Sequence, residues 1–140
     1  MRSVYDNVLA VDAISPIAQA GSEKLSSAID TMGYSSMMVE FLNGAATGTP
    51  DSYSIACAVT SSATSGGSYS AVSGATATIT TDGAHAQVRV EGLGLNTGRY
   101  IKISMTPTFV NGTSPKALIG AVVLLDRADQ SPVANSSTQA

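Results

Sequence analysis

The segment from Ala117 to Leu125 constrains the fold more than any other part of the chain, because all nine of its residues are apolar. A strand with one solvated face alternates apolar and polar residues, so an unbroken apolar run predicts a strand that is covered on both faces. The segment is too short to cross a bilayer, since a helical span needs roughly 20 residues. Its second face is therefore expected to contact protein. Two alternatives remain open: another part of this chain, or a partner subunit.

Composition favours a subunit of a larger assembly. The chain has 140 residues, the length of one ordinary domain, of which 44% are hydrophobic and only 12% are charged, with a formal net charge of -3. A surface with so few charges gains little solubility from charge repulsion, so we expect much of it to lie against neighbours. The seven Lys and Arg residues are scattered, and neither nucleic acid nor a membrane is an expected partner.

The single Cys57 permits no internal disulfide, so nothing demands an oxidising compartment.

Most of the remaining chain has the pattern of short strands separated by turns. Apolar and polar residues alternate from Gln87 to Glu91 and from Ile101 to Thr106, and pairs such as Asn43-Gly44 and Asn111-Gly112 are typical of turns. Several strands at such spacing predict an all-β fold, an antiparallel β-sandwich or jelly roll. The residues expected in its core include Val88, Val90, Ile101, Ile103, Leu118 and Val122.

One stretch near the N-terminus permits two interpretations. Ser22 to Ile29 could begin a helix with a serine cap that ends before Gly33, or it could contain a strand from Leu25 to Ile29. The strand is the preferred interpretation because the helix would end so early.

We expect one domain over residues 1–140, with its core at about residues 22–127. An N-terminal arm at 1–16 and a C-terminal arm at 126–140 contain few apolar residues. They are expected to lie across neighbouring subunits and to order on assembly. A signal peptide is not expected, because Asp6 and Asp12 interrupt the apolar stretch that it would need.

Residues suited to catalysis are few. His85 is the one histidine and is expected to be an exposed turn residue, while Cys57 lies within an alternating strand and is expected to be a small buried hydrophobe. The segment Gly92 to Leu95 lacks the third glycine and the helix of a dinucleotide fingerprint. The ten acidic residues form no calcium-binding cluster. We therefore expect no enzyme, and no catalytic residue, bound cofactor or metal site.

Three segments carry a resemblance to a known group of proteins. Ala28 to Tyr34, Arg99 to Ile103 and the terminal Gly120 to Leu125 resemble the corresponding parts of capsid cement proteins, also called decoration proteins, of tailed bacteriophages. The resemblance implies a β-sandwich or jelly roll that is made in the cytoplasm of the host bacterium and attaches to the outer surface of the capsid. The implied partners are the major capsid protein and further copies of the chain, in a homodimer or homotrimer.

A competing hypothesis is a carbohydrate-binding or adhesin-like β-sandwich on a virion or cell surface. Such a protein needs an aromatic or acidic pocket, and this chain has no Trp, two Phe and five Tyr. Tyr34, Tyr53 and Tyr100 each lie near the start of an expected strand, so they are expected to be core or boundary residues.

Overall fold

A computed structural model describes residues 8–95 and 97–126 and arranges them in two packed antiparallel sheets. One sheet has the strand order β1-β9-β4-β7 and the other has the order β2-β8-β5-β6, with β3 also paired to β8. The strands of the described part of the chain are β1 (Leu9–Gln19), β2 (Lys24–Leu25), β3 (Ile29–Asp30), β4 (Ser36–Thr47), β5 (Ser52–Ser62), β6 (Ser70–Ile79), β7 (His85–Glu91), β8 (Tyr100–Val110) and β9 (Lys116–Asp126).

The order of pairing makes this sandwich a jelly roll. The pairs β5–β6, β4–β7, β2–β8 and β1–β9 nest inside one another along the chain, as they do when one long antiparallel ribbon is folded. The additional pairs β4–β9 and β5–β8 close the ribbon into two sheets. The predicted all-β class and antiparallel β-sandwich or jelly-roll architecture are therefore confirmed.

The ambiguous stretch near the N-terminus is extended, as preferred, but it is not one strand. β2 and β3 both pair with β8, and Ser26 lies between them. The Ser26 Oγ accepts a hydrogen bond from the backbone N–H of Ile103 at 2.9 Å, and the Ser26 N–H donates to the Ile103 carbonyl at 2.9 Å. A side chain that replaces a backbone acceptor in this way interrupts the regular ladder without leaving a buried donor unpaired.

The predicted core is right for β7 and β8 and wrong for β9. Val88, Val90, Ile101 and Ile103 are all buried. Leu118, in contrast, is 48% exposed and Val122 is only half-buried. The residues of β9 that face the core are the alternate set Ala117, Ile119, Ala121, Val123 and Leu125. The error has a simple cause, because an unbroken apolar run contains no polar residue to mark its outer face, and a shift of one residue exchanges the two faces.

The predicted N-terminal arm at 1–16 is wrong over its second half. β1 pairs with β9 from Leu9 opposite Leu125 to Gln19 opposite Ala117, and Ile14 is only 2% exposed. The folded unit therefore begins by Leu9 rather than at about residue 22. Bulges between Asp12 and Ile14 and after Ile14 let a segment with a weak alternating pattern keep its apolar residue inward. Residues 1–7 and 127–140 lie outside the described part, and with them all of the predicted C-terminal arm except Asp126, which ends β9.

Candidate functional site

The outer face of the β1-β9-β4-β7 sheet carries a continuous group of exposed and half-buried apolar side chains. Leu42 is 45% exposed and Leu118 is 48% exposed, and the neighbouring side chains between them and the end of the sheet are half-buried. We call this surface the outer apolar face, and it consists of Met38, Leu42, Leu118, Val122 and Leu124. A contiguous apolar group of this kind differs from single exposed leucines, which need no explanation.

Strand register brings these side chains together. On β4 and β9, Met38 lies opposite Leu124 and Glu40 lies opposite Val122, so their side chains share the outer face. Farther along, a Cβ placed on Gly44 would lie 2.9 Å from the Cδ2 of Leu118. The glycine therefore provides the space that the Leu118 side chain occupies at the bulge in β4.

Charged side chains border and interrupt the outer apolar face. Asp12 of β1 lies opposite Val122, and Arg89 of β7 lies opposite Met38. The Nδ1 of His85 lies 2.7 Å from the Glu40 Oε1. His85 is exposed, as expected, but it begins a strand, and its contact with Glu40 could be found only from cross-strand register.

One end of the outer apolar face is concave. A depression of about 320 Å³ lies where β7 and β9 end and β4 begins, and its lining includes Met38, Leu124, Arg89, Glu91 and Asp126. An apolar floor with a rim of mixed charge is the usual composition of a protein-binding surface. Met38 and Leu124 were not predicted at this surface. β9 has no polar residue to mark its outward face, whereas in β4 the position of Glu40 between Val39 and Phe41 is a signal that could have placed Met38 outward.

The opposite sheet presents a different outer face. Ile101 and Ile103 point into the core, so Tyr100 and Lys102 point outward. The Lys102 Nζ lies 4.6 Å from the centroid of the Tyr69 ring, and the Arg99 Cζ lies 5.1 Å from the centroid of the Tyr100 ring.

Tyr34, Tyr53 and Tyr100 are all half-buried, in agreement with the prediction that they are core or boundary residues, but they do not share one environment. Tyr34 and Tyr53 are partly buried and pack against the core. Tyr100 instead lies on the outer face of its sheet beneath Arg99, because its position in β8 has the opposite parity to the buried isoleucines.

Cys57 is the buried residue that its strand pattern predicts. It is 1% exposed, and burial raises the pKa of its thiol to about 12. A thiol that stays protonated is a poor nucleophile and a poor metal ligand. Over residues 8–95 and 97–126, no three His, Cys, Asp or Glu side chains are grouped closely enough to hold a metal ion. The same residues include no helix that is long and apolar enough for a membrane span.

Comparison with known proteins identifies related folds. The chain matches no protein-family model, and no curated protein matches it in sequence. Among solved structures, the PBSX exported protein XepA aligns over 94% of this chain and 41% of XepA, with a TM-score of 0.59 and 11% identity. The structure of infectious bursal disease virus, Gt strain, aligns over 86% of this chain and 32% of the viral chain, with a TM-score of 0.52 and 11% identity.

A third solved structure, TmCBM61 in complex with β-1,4-galactotriose, aligns over 86% of this chain and 83% of its own, with a TM-score of 0.47 and 15% identity. This chain spans about two fifths of XepA and about a third of the viral chain. At such low identity the likeness concerns the fold. The chain is an all-β jelly-roll sandwich, a fold that it shares with XepA and with the infectious bursal disease virus chain.

Proposed function

We propose that this chain is a structural virion protein that binds the outer surface of an icosahedral capsid and bridges major capsid proteins. The observation that carries the proposal is the outer apolar face, where Leu42 and Leu118 are each nearly half exposed. Of the two alternatives left open by the apolar run in β9, this exposure favours a partner subunit as the cover of its second face. The protein itself performs no chemistry in this proposal.

The free energy gained by burying such a face is of the size that a capsid cement protein needs. Each Å² of apolar surface that is buried contributes roughly 25 cal/mol, so a patch of a few hundred Å² contributes several kcal/mol before the costs of association. One weakly bound copy would not hold a shell together. Many copies, each contacting two capsid subunits, stabilise the assembled particle over its parts by mass action.

The charges around the outer apolar face indicate the kind of surface that it binds. Asp12 and Glu40 lie within the face, and Glu91 and Asp126 line its concave end. Arg89 is the cation that accompanies them in this depression, so carboxylates predominate. Two such faces in contact would bring like charges together, whereas a partner with an apolar centre and a basic rim would complement them. The homodimer or homotrimer that we also propose would therefore form through other surfaces.

The sequence resemblance supports the same function. The segments Ala28 to Tyr34, Arg99 to Ile103 and Gly120 to Leu125 resemble cement proteins of tailed bacteriophages, and in particular the cement protein of a short-tailed Bordetella phage. We accordingly propose the capsid surface of the virion as its location.

The experiment uses virions of the source phage with and without the protein. Particles that lack it should assemble but should release their genome at lower temperature or under milder osmotic shock, and added purified protein should restore resistance. Equal resistance of the two kinds of particle would overturn the proposal. It would favour the alternative, a carbohydrate-binding or adhesin-like sandwich on the surface.

A pair of matched variants tests the face. Leu118→Asp places a carboxylate on the outer apolar face, and Leu25→Asp places one on the opposite sheet at a residue of similar exposure, 42%. In co-sedimentation with particles, L118D should bind at least tenfold more weakly than the unchanged protein, while L25D should bind normally. Normal binding by L118D, or equal loss in both variants, would exclude the outer apolar face as the contact.

A further inference from the structure

The outer side of the β2-β8-β5-β6 sheet brings two tyrosines and a lysine together. Ser62 of β5 lies opposite Tyr100 of β8, and Ser61 lies opposite Ser70 at the start of β6. Tyr69 immediately precedes Ser70, so it lies on the β6 side of β5, while Tyr100 lies on the β8 side. With neighbouring strands about 4.8 Å apart, β6 and β8 lie about 10 Å from each other.

The Lys102 side chain extends from β8 across β5 toward Tyr69. The backbone of Lys102 lies opposite Thr60 on β5, and its Nζ reaches the Tyr69 ring at 4.6 Å from the centroid. The negative face of an aromatic ring attracts an ammonium group without neutralising it. The ring therefore positions the lysine over the sheet while leaving its charge available.

The neighbouring arginine is already neutralised. The Arg99 Nε donates to the Asp30 Oδ1 at 2.8 Å, and the Arg99 Nη2 donates to the Asp30 Oδ2 at 2.7 Å. Within residues 8–95 and 97–126, no carboxylate lies within 4.0 Å of the Lys102 Nζ. An anionic group that approaches this side of the sheet would thus meet the ammonium group of Lys102, which the Tyr69 ring positions and no carboxylate of these residues neutralises.

The surface beside Lys102 is rich in hydroxyl groups. Thr60 and Thr106 are half-buried, and Thr76 and Thr78 are exposed, while the alanines between them add no bulk. In register, Thr76 lies opposite Ala58 and Thr78 lies opposite Ala56. Two large apolar side chains of the described residues are exposed on this side, Leu25 opposite Ser104 and Val110 at the end of β8, and they lie six positions apart along β8. A protein partner needs apolar anchors grouped together, which this face lacks, whereas hydroxyl groups and tyrosine edges suit a sugar ring.

We infer that this face binds an acidic saccharide, with Lys102 contacting a sugar carboxylate, Tyr69 positioning Lys102, and the threonine surface contacting the sugar hydroxyls. This site goes beyond the proposed function and does not depend on it. On a capsid it would leave the outer apolar face free for the shell, because the two faces lie on opposite sides of the sandwich.

The probe is a hexamer of galacturonic acid, and binding to the purified full chain is measured by isothermal titration and by NMR. The first control ligand is the fully methyl-esterified hexamer, which has the same backbone without its charges. The second is a hexamer of glutamate, which has the charges without the sugar rings. We expect the acidic hexamer to bind at least tenfold more tightly than either control.

Variants then locate the site. Lys102→Gln should weaken binding of the acidic hexamer at least tenfold, and Tyr69→Leu should weaken it less, because it removes the ring but not the charge. Lys116→Gln is the matched control, since it removes one charge from an exposed lysine at the start of β9. All three should retain the thermal midpoint of the unchanged protein.

Several outcomes would overturn the inference. No binding of the acidic hexamer, or equal binding of the esterified form, would exclude a carboxylate-directed sugar site. Equal binding of hexaglutamate would assign the face to an acidic peptide instead. Equal loss in K102Q and K116Q would show a nonspecific effect of charge. None of these results bears on capsid binding, which the particle experiments measure separately.

Discussion

The Tyr53 hydroxyl donates a hydrogen bond to the Asp82 Oδ1 at 2.5 Å and so connects β5 to the turn between β6 and β7. The Tyr53 hydroxyl oxygen also accepts a hydrogen bond from the Asn43 Nδ2 at 2.8 Å. The Asp82 Oδ1 accepts a second hydrogen bond, from the backbone N–H of Ala46, at 3.1 Å. Asn43 is buried, and its amide also donates to the carbonyl of Thr81 at 2.9 Å. These contacts join the bulge of β4 to the turn between β6 and β7, next to the space that Leu118 occupies.

Tyr53→Phe should lower the thermal midpoint by a few degrees, because it leaves the buried Asn43 amide with one acceptor fewer. Hydrogen bonding from Tyr53 lowers the pKa of Asp82 below its ordinary value of 3.8. A carboxyl group with a lowered pKa stabilises the fold above that value and loses its contribution as the pH falls through the folded pKa. The difference between Y53F and the unchanged protein should therefore shrink below about pH 4. A difference that stays constant down to pH 2 would contradict this account.

Asp30→Asn tests the ion pair beside Tyr100. Hydrogen bonding from Arg99 lowers the pKa of Asp30 below its ordinary value of 3.8. D30N should be slightly less stable at pH 7, and the difference should vanish as the pH falls below about 4, since protonated Asp30 no longer pairs with Arg99. Both side chains are 45% exposed, so added salt should reduce the difference. Equal denaturation midpoints at pH 7 in low salt would show that the pair contributes nothing.

Cys57 should not react with thiol reagents in the folded protein. Burial raises the pKa of its thiol to about 12, so little thiolate forms at pH 8 and the reagent has no access. In denaturant the thiol should react at an ordinary rate. The raised pKa also predicts that stability is full below about pH 9 and falls as the pH rises toward 12. Rapid labelling of the folded chain would indicate that β5 opens readily.

Ile14→Ala tests whether β1 belongs to the folded unit. Ile14 is 2% exposed and Ile17, in the same strand, is 37% exposed. Loss of a buried isoleucine side chain should lower the free energy of unfolding by about 2–5 kcal/mol. Ile17→Ala is the matched control and should cost clearly less. Similar urea midpoints for I14A and I17A would restore the interpretation of this segment as an arm.

Val90→Asp should prevent folding, because it buries a carboxylate without a partner in a strand whose core face is closed. Gln87→Asp introduces the same group on the exposed face of the same strand and should fold normally. Circular dichroism and expression of the two variants provide the comparison. Normal folding by V90D would mean that β7 faces the other way.

The sequence alone determined the class of fold, because alternation in β7 and β8 and the turn pair Asn111-Gly112 after β8 are local properties of the chain. The turn expected at Asn43-Gly44 was wrong, since this pair lies within β4 at its bulge. The sequence also identified Val88, Val90, Ile101 and Ile103 as core residues, since polar neighbours mark the outward face of each strand. Where apolar and polar residues alternate along a strand, only one of its two faces can be the core face.

Tertiary structure decided what such local patterns leave open. In β9 every residue is apolar, so only pairing with β1 and β4 could select Ile119, Ala121 and Val123 for the core and leave Leu118 outside. β1 joins the sheet by pairing with the edge of β9 that β4 leaves without a backbone partner. No feature within residues 9–16 reveals that such an edge is present. Lys102 and Tyr69 are brought together by β5, which lies between them in the sheet and far from Lys102 in sequence. Contacts of this kind depend on strand register, and register is set by the packing of the whole sandwich.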